Sequence, residues 1–221
     1  MSDTGTGNVD AAISAATALY RNEPAGIRAF VQARRWLAPV GAIVRRVPAT
    51  GSVLDVGCGH GLFSLILASA DPARRIVGVD PSPAKMAVAM RVGRPFPNLT
   101  FRQEPIDAIG DERFAAILIL DVLYLLPPAL KLDLLTACRR RLAAGGVLLV
   151  KTNDTTPAWK YRIARAQESA MTALGLTMGG GELYFLSARE NAAMIERAGF
   201  TVEIERLSHW TPYPHMLMRA R

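Results

Sequence analysis

The segment VLDVGCGHGLFS, residues 53–64, constrains this chain more than any other. An apolar run reaches Asp55, glycines stand at 57, 59 and 61, and an apolar helical pattern begins at Leu62. Glycines at alternate positions let the backbone turn sharply and approach a ligand closely, and the N–H groups opening the next helix favour an anionic group. A second apolar run, IVGVD, ends on Asp80. The motif therefore predicts a strand, a tight turn and a helix, with one carboxylate at the end of each of the first two strands.

The rest of the chain continues the alternation. Strands are predicted at Ser52–Val56, Arg75–Asp80, Leu99–Arg102, Phe114–Leu120, Val147–Val150, Phe200–Arg206 and His215–Arg219. Helices are predicted near Leu62–Ser69, after Pro83, at Pro128–Leu142, at Ala158–Leu174 and from a Ser187 cap to Gly199, with a loop at Gly179–Gly181. The unbroken apolar run at Phe114–Leu120 suits a central parallel strand covered on both faces. Such alternation argues an α/β, doubly wound sheet. Half of the 221 residues are apolar, enough for one sizeable core. Ahead of the sheet, Ile27, Phe30, Val31 and Leu37 form an apolar helical stripe flanked by arginines, and Pro24, Pro39 and Pro48 divide the region into short helices. Residues 1–9 are expected to be disordered, 10–48 to form a helical cover, and 49–221 to form the ligand-binding domain.

Asp80 can accept both hydroxyls of a ribose. A nicotinamide dinucleotide needs Gly-x-Gly-x-x-Gly; here the third glycine comes one residue early, and Asp55 would face a pyrophosphate of like charge. S-adenosylmethionine has no phosphate and carries an ammonium and a sulfonium, which an acid at the end of the first strand suits. DVGCGHG, GVDPS, the apolar strand before Asp121, LAAGGVLLVK and the tail GFTVEIERL…YPHMLMRAR together resemble the class I S-adenosylmethionine-dependent methyltransferases, from about Gly51 to Arg221. The resemblance implies a Rossmann-like seven-stranded sheet, mostly parallel with an antiparallel seventh strand. It implies that Asp55, Gly57, Cys58, Gly59 and Gly61 line the methionine side of S-adenosylmethionine, that Asp80 holds the ribose and Pro81 lies near the adenine, that Ile106 in FRQEPID lies against the ring, and that Glu104 or Asp107 takes the adenine amino group. The family's common adenine-contact acid is replaced by Pro105.

Methyl transfer from sulfur is an in-line displacement, so positioning supplies much of the rate, and a base is needed only for a protonated acceptor. The stretch after the fourth strand, DVLYLLPP, offers Asp121 and Tyr124; KTNDTTPAWKYR offers a polar wall including Asp154; His209, Trp210, Tyr213 and His215 cluster near the last strand. Asp121, Tyr124, His209 and His215 are the candidate catalytic residues, each with a structural alternative as cap or packing group, while His60 is read as shaping the glycine loop. No His/Cys/Asp/Glu set has metal-ligand spacing, and Cys58 and Cys138 read as separate thiols. The net charge of +7 is mostly arginine, with a local excess from Arg21 to Arg46 but no run of nucleic-acid type, and the Pro-Pro-aromatic element of base-amino methyltransferases is missing after Asp121. The polar start lacks the pattern of a leader, and a cytoplasmic location is expected. The expected partner is a small acceptor, hydrophobic or lipid-like, methylated on oxygen or nitrogen. The alternatives are a non-catalytic cofactor-binding protein, a nicotinamide oxidoreductase, and docking of the N-terminal arginines on an anionic membrane surface.

Overall fold

The computed structural model describes residues 4–173, 183–207 and 211–221. One sheet is built from β1 (Gly51–Val56), β2 (Arg74–Val79), β3 (Leu99–Arg102), β4 (Phe114–Leu120), β5 (Leu142–Asn153), β6 (Val202–Arg206) and β7 (His215–Ala220), in the order β3-β2-β1-β4-β5-β7-β6. β1 through β5 pair in parallel, and β7 runs antiparallel to both β5 and β6. Helices α1 (Thr4–Ala18), α2 (Ala25–Leu37) and α3 (Val40–Val44) precede the sheet. α4 (Leu62–Ala70), α5 (Pro83–Gly93), α6 (Pro128–Arg141), α7 (Ala158–Ala173) and α8 (Ala188–Arg197) connect or flank its strands.

The central strand β4 is apolar at every position because both of its faces are covered. Along β4, Ala116 and Leu118 join a cluster with α3, α4 and α5, while Ile117 and Ile119 join a second cluster with α6 and α8. This is the period of two expected of a strand. The first cluster also takes Val9, Ala12 and Ala16 from α1. Those residues recur at helical spacing and turn one stripe onto α4, so the helix extends back to Thr4, inside the segment expected to be disordered. The N-terminal helices thus complete one layer of the core. β5 is longer than expected. The ladder with β4 jumps from Phe114↔Leu142 to Ala116↔Val147, so Gly145 and Gly146 form an irregularity within the strand rather than a turn ahead of it. The expected end of α7 at Leu174 and the Gly179–Gly181 loop fall outside the described residues. Ser187 caps α8 as anticipated, closing a reciprocal capping box with Glu190.

Three glycines from different elements make room for one ring. A Cβ at Gly61, Gly78 or Gly93 would lie 2.5, 2.7 or 2.7 Å from a carbon of Phe101. Phe101 on β3 therefore sets how closely α4, α5 and β2 approach. Gly78→Ala should destabilise the protein by about 1–3 kcal/mol through overpacking, and Phe101→Leu in the same chain should recover part of that loss. Urea unfolding of the two single variants and the double variant measures it; strictly additive losses would contradict the shared-ring account.

Candidate active site

Strand order reverses between β1 and β4, so their following segments leave toward opposite faces and open a crevice at the carboxyl ends of the strands. The glycine loop fills one lip. The N–H groups of Gly57 and Cys58 donate to the Val79 carbonyl at 2.8 and 3.1 Å, and Gly61 N–H donates to Cys58 at 2.9 Å. Gly59 and Gly61 take φ of +58° and +86°, where side-chain-bearing residues are strained. A Cβ at Gly59 would meet nothing within 4 Å: this backbone borders open space. Asp80 is buried, and its carboxylate is fixed by two backbone donors, Gly59 N–H at 3.0 Å and Ser82 N–H at 2.9 Å. Each oxygen keeps a further lone pair for a diol.

Asp55, also buried, accepts the Ser64 hydroxyl on one oxygen at 2.6 Å. Burial, offset in part by Ser64 and reinforced by Asp80, pushes its carboxyl up to about 6. A cation beside it would supply the compensation it lacks. Burial likewise raises the Cys58 thiol well above its ordinary value. Burial, helped by Lys85, lowers His60, which lines the cavity as a neutral imidazole at neutral pH; its Nδ1 is buried without a hydrogen-bond partner. These features fit S-adenosylmethionine, with Asp80 opposite a ribose, Asp55 opposite a cationic group, and the bare backbone of Gly59 beside both.

The cavity measures about 340 Å³ and runs on from the glycine loop to a wall of Phe30, Arg34, Ala38, Val40 and Ile43 from the N-terminal helices. Its far side holds a charge cluster. The Lys151 ammonium donates to Asp121 Oδ1 at 2.6 Å, and the Arg34 guanidinium donates to Oδ2 at 2.9 Å. Burial opposes ionisation of Asp121, but the charges of Lys151 and Arg34 outweigh it and hold the carboxyl below its ordinary value. Asp121 also has φ of +59°, a left-handed conformation costly for a residue with a Cβ. An acid anchored in this way is poorly suited to take up a proton.

The expected site residues divide between the cavity and its surroundings. Asp55, Gly57, Cys58, Gly59, Asp80, Pro81 and Asp121 line the cavity. Gly61 instead caps α4 against Phe101. Ile106 is buried in the core among the residues of the second cluster, and Asp107 is exposed beside Arg140 at 3.7 Å, so neither lines the cavity. Tyr124 is buried and stacks on Phe185 with ring centroids 4.5 Å apart, while its neighbour Leu125 forms the wall. His215 has both nitrogens engaged, Nδ1 with Asn153 Oδ1 at 3.0 Å and Nε2 with the Leu37 carbonyl at 2.9 Å, and so fastens the end of α2 to β7. Asp154 accepts from Ala188 N–H and Arg206 at 3.1 and 2.8 Å, tying α8 and β6 to the end of β5. His209 and Trp210 lie outside the described residues. Lys151, the first residue of the expected polar wall, does line the cavity, whereas sequence reading did not single out Arg34 or Lys85 as wall residues.

A profile described as a methyltransferase domain matches residues 53–146. The chain is 32% identical over 188 residues to trans-aconitate 2-methyltransferase of Methylobacterium nodulans, covering 83% of this chain and 69% of that protein. It is 32% identical over 170 residues to a ubiquinone biosynthesis O-methyltransferase of Xylella fastidiosa, covering 73% and 65%. The apo structure of the S-adenosylmethionine-dependent methyltransferase SibL shares the fold, with a TM-score of 0.68 at 19% identity, over 87% of this chain and 56% of that one. Fold, site and relatives together define a Rossmann-like cofactor-binding transferase. The chain belongs to the class I S-adenosylmethionine-dependent methyltransferases, and the nicotinamide alternative falls away.

The raised Asp55 carboxyl has a consequence for stability. Its ordinary value is 3.8, so between about pH 4 and 6 the folded chain holds a proton that the unfolded chain has lost. Stability contributed by Asp55 therefore falls as pH rises through that window, and the full penalty stands above it. Asp55→Asn should raise the unfolding free energy of the cofactor-free protein at pH 7.5 by about 1–3 kcal/mol while weakening S-adenosylmethionine binding. Paired denaturation and calorimetric titrations test this; an unfolding midpoint at or below that of the parent would contradict it.

Proposed function

We propose that this protein transfers the methyl group of S-adenosylmethionine to an oxygen or nitrogen of a small, largely apolar acceptor. The observation that carries the reading is the continuity of one cavity, from the carboxylates of Asp55 and Asp80 to a wall of Phe30, Ala38, Val40, Ile43, Leu125 and Leu126. Bound S-adenosylmethionine supplies an electrophilic methyl on a positively charged sulfur. The apolar wall excludes water and aligns the acceptor, and Arg34 with Lys151 offers donors to a polar group on it. An O–CH3 or N–CH3 bond forms as the S–CH3 bond breaks, and the electron pair of that bond stays on sulfur as the thioether. Asp121, Tyr124 and His215 are committed to structural partners, so for a protonated acceptor we assign proton uptake to His60, a cavity-lining imidazole that burial keeps neutral at neutral pH. The two relatives named above, whose names refer to trans-aconitate and to ubiquinone biosynthesis, support a small-molecule acceptor.

Incubation with labelled S-adenosylmethionine and a panel of small acids, phenols and amines should release S-adenosylhomocysteine together with a methylated product. Asp80→Ala should weaken S-adenosylhomocysteine binding by roughly tenfold or more, since it removes a charge-assisted contact worth about 1.5–3 kcal/mol. Unchanged affinity in that variant, or tight binding of a nicotinamide dinucleotide by the parent, would overturn the assignment.

A further inference from the structure

A second concavity, of about 270 Å³, lies between α1 and α2, and its wall is distinct from that of the cavity described above. Arg28, Gln32 and Arg35 recur at helical spacing along one face of α2, and Arg21 stands in the 3-10 turn Leu19–Asn22 before it. Ser14 and Thr17, one α1 turn apart, face them across the groove. Arginines elsewhere that face an acid are ion-paired, among them Arg34 with Asp121, Arg91 with Glu23 and Arg206 with Asp154. Among the described residues, Arg21, Arg28 and Arg35 make no ion pair. Their holds are long: Arg28 Nη1 donates to the Arg21 carbonyl at 3.4 Å, and Arg35 Nη2 donates to Ser14 Oγ at 3.4 Å. Among the described residues no acid lines the groove; Glu23, the nearest in sequence to Arg21, is taken by Arg91 in a bidentate pair at 2.6 and 2.9 Å.

Three guanidiniums kept together without a carboxylate repel one another, and an anion between them removes that cost. Arg28 and Arg35 lie two helical turns apart, about 10 Å along the axis, so each guanidinium can meet one end of a pair of linked phosphoryl groups. The forked N–H donors of arginine match phosphoryl oxygens two at a time, and Ser14 and Gln32 add neutral donors. We propose that this groove binds a soluble, diphosphate-bearing anion, at a site separate from the cofactor cavity. The opposite face of α2 carries Phe30 and Arg34 into that cavity, so a ligand in the groove clamps a wall of the active site against α1. The groove stands whether or not the acceptor assignment above does.

Inorganic pyrophosphate is the probe. Titration calorimetry at fixed ionic strength should show saturable binding to the full chain that weakens as salt is raised. In the double variant Arg28→Gln/Arg35→Gln the dissociation constant should rise tenfold or more, with an unchanged circular dichroism spectrum. No binding by the parent, or equal binding by the variant, would overturn the proposal. A second arm uses vesicles of three parts phosphatidylcholine to one part phosphatidylglycerol. Sedimentation with these vesicles, lost in the same variant, in the absence of pyrophosphate binding would replace the soluble ligand with a lipid headgroup. Pyrophosphate binding without sedimentation supports the site as stated.

Discussion

A parallel sheet buried on both faces dictates where everything else can go. Each strand must be left and re-entered from above or below, and the reversal of strand order between β1 and β4 sends neighbouring connections to opposite sides. The gap this leaves cannot be filled by the sheet itself. It is bordered on one side by the glycine loop, whose N–H groups rest on the end of β2, and on the other by the Asp121 turn, whose charge is met by a lysine on β5. The carboxylates of the site stand at strand ends because only there does a buried apolar strand meet a polar ligand.

The N-terminal helices attach to this frame in two physically different ways. α1 packs on α4 through small apolar side chains, a contact indifferent to any ligand. α2 is held by polar fastenings gathered around the cavity: the Tyr20 hydroxyl just ahead of it donates to the His60 carbonyl at 2.7 Å, Arg34 reaches Asp121, and the Leu37 carbonyl meets His215. Glu23 adds an ion pair to Arg91 of α5. These fastenings are buried or half-buried and depend on direction, whereas the α1 contact depends only on shape.

Sheet and cradle were legible in the sequence for a common reason. VLDVG and IVGVD place an acid after an unbroken apolar run, and that pattern reports strand, burial and terminus together. The Gly57–Gly61 spacing carried the same kind of local information. Ile106 and Asp107 did not lie where the family resemblance placed them, because a short 3-10 turn puts Ile106 into the core and leaves Asp107 on the surface, which neighbouring residues do not encode. Tyr124 and His215 look free in sequence, and only the approach of Phe185, Asn153 and Leu37, distant along the chain, shows them to be committed. Arg34 and Lys151 were invisible as a pair with Asp121 for the same reason, being 87 and 30 residues from it. From Thr4 to Val9 the chain is helical where disorder was expected, because Gly and Thr masked a stripe that Val9 begins and Ala12 and Ala16 continue.

The two halves of the cavity wall come from different kinds of sequence. The half proposed to hold the cofactor is drawn from strand ends and the loop between them, where nearly every residue also carries the sheet, so change there is punished twice. Much of the other half is drawn from α2 and α3, which join no strand and reach the cavity with Phe30, Ala38, Val40 and Ile43. In lineage terms, residues 25–44 are a replaceable face on a fixed machine. On the acceptor reading proposed above, exchange of a few side chains along that stretch would redraw the acceptor's outline while the strand ends and the glycine loop stay as they are.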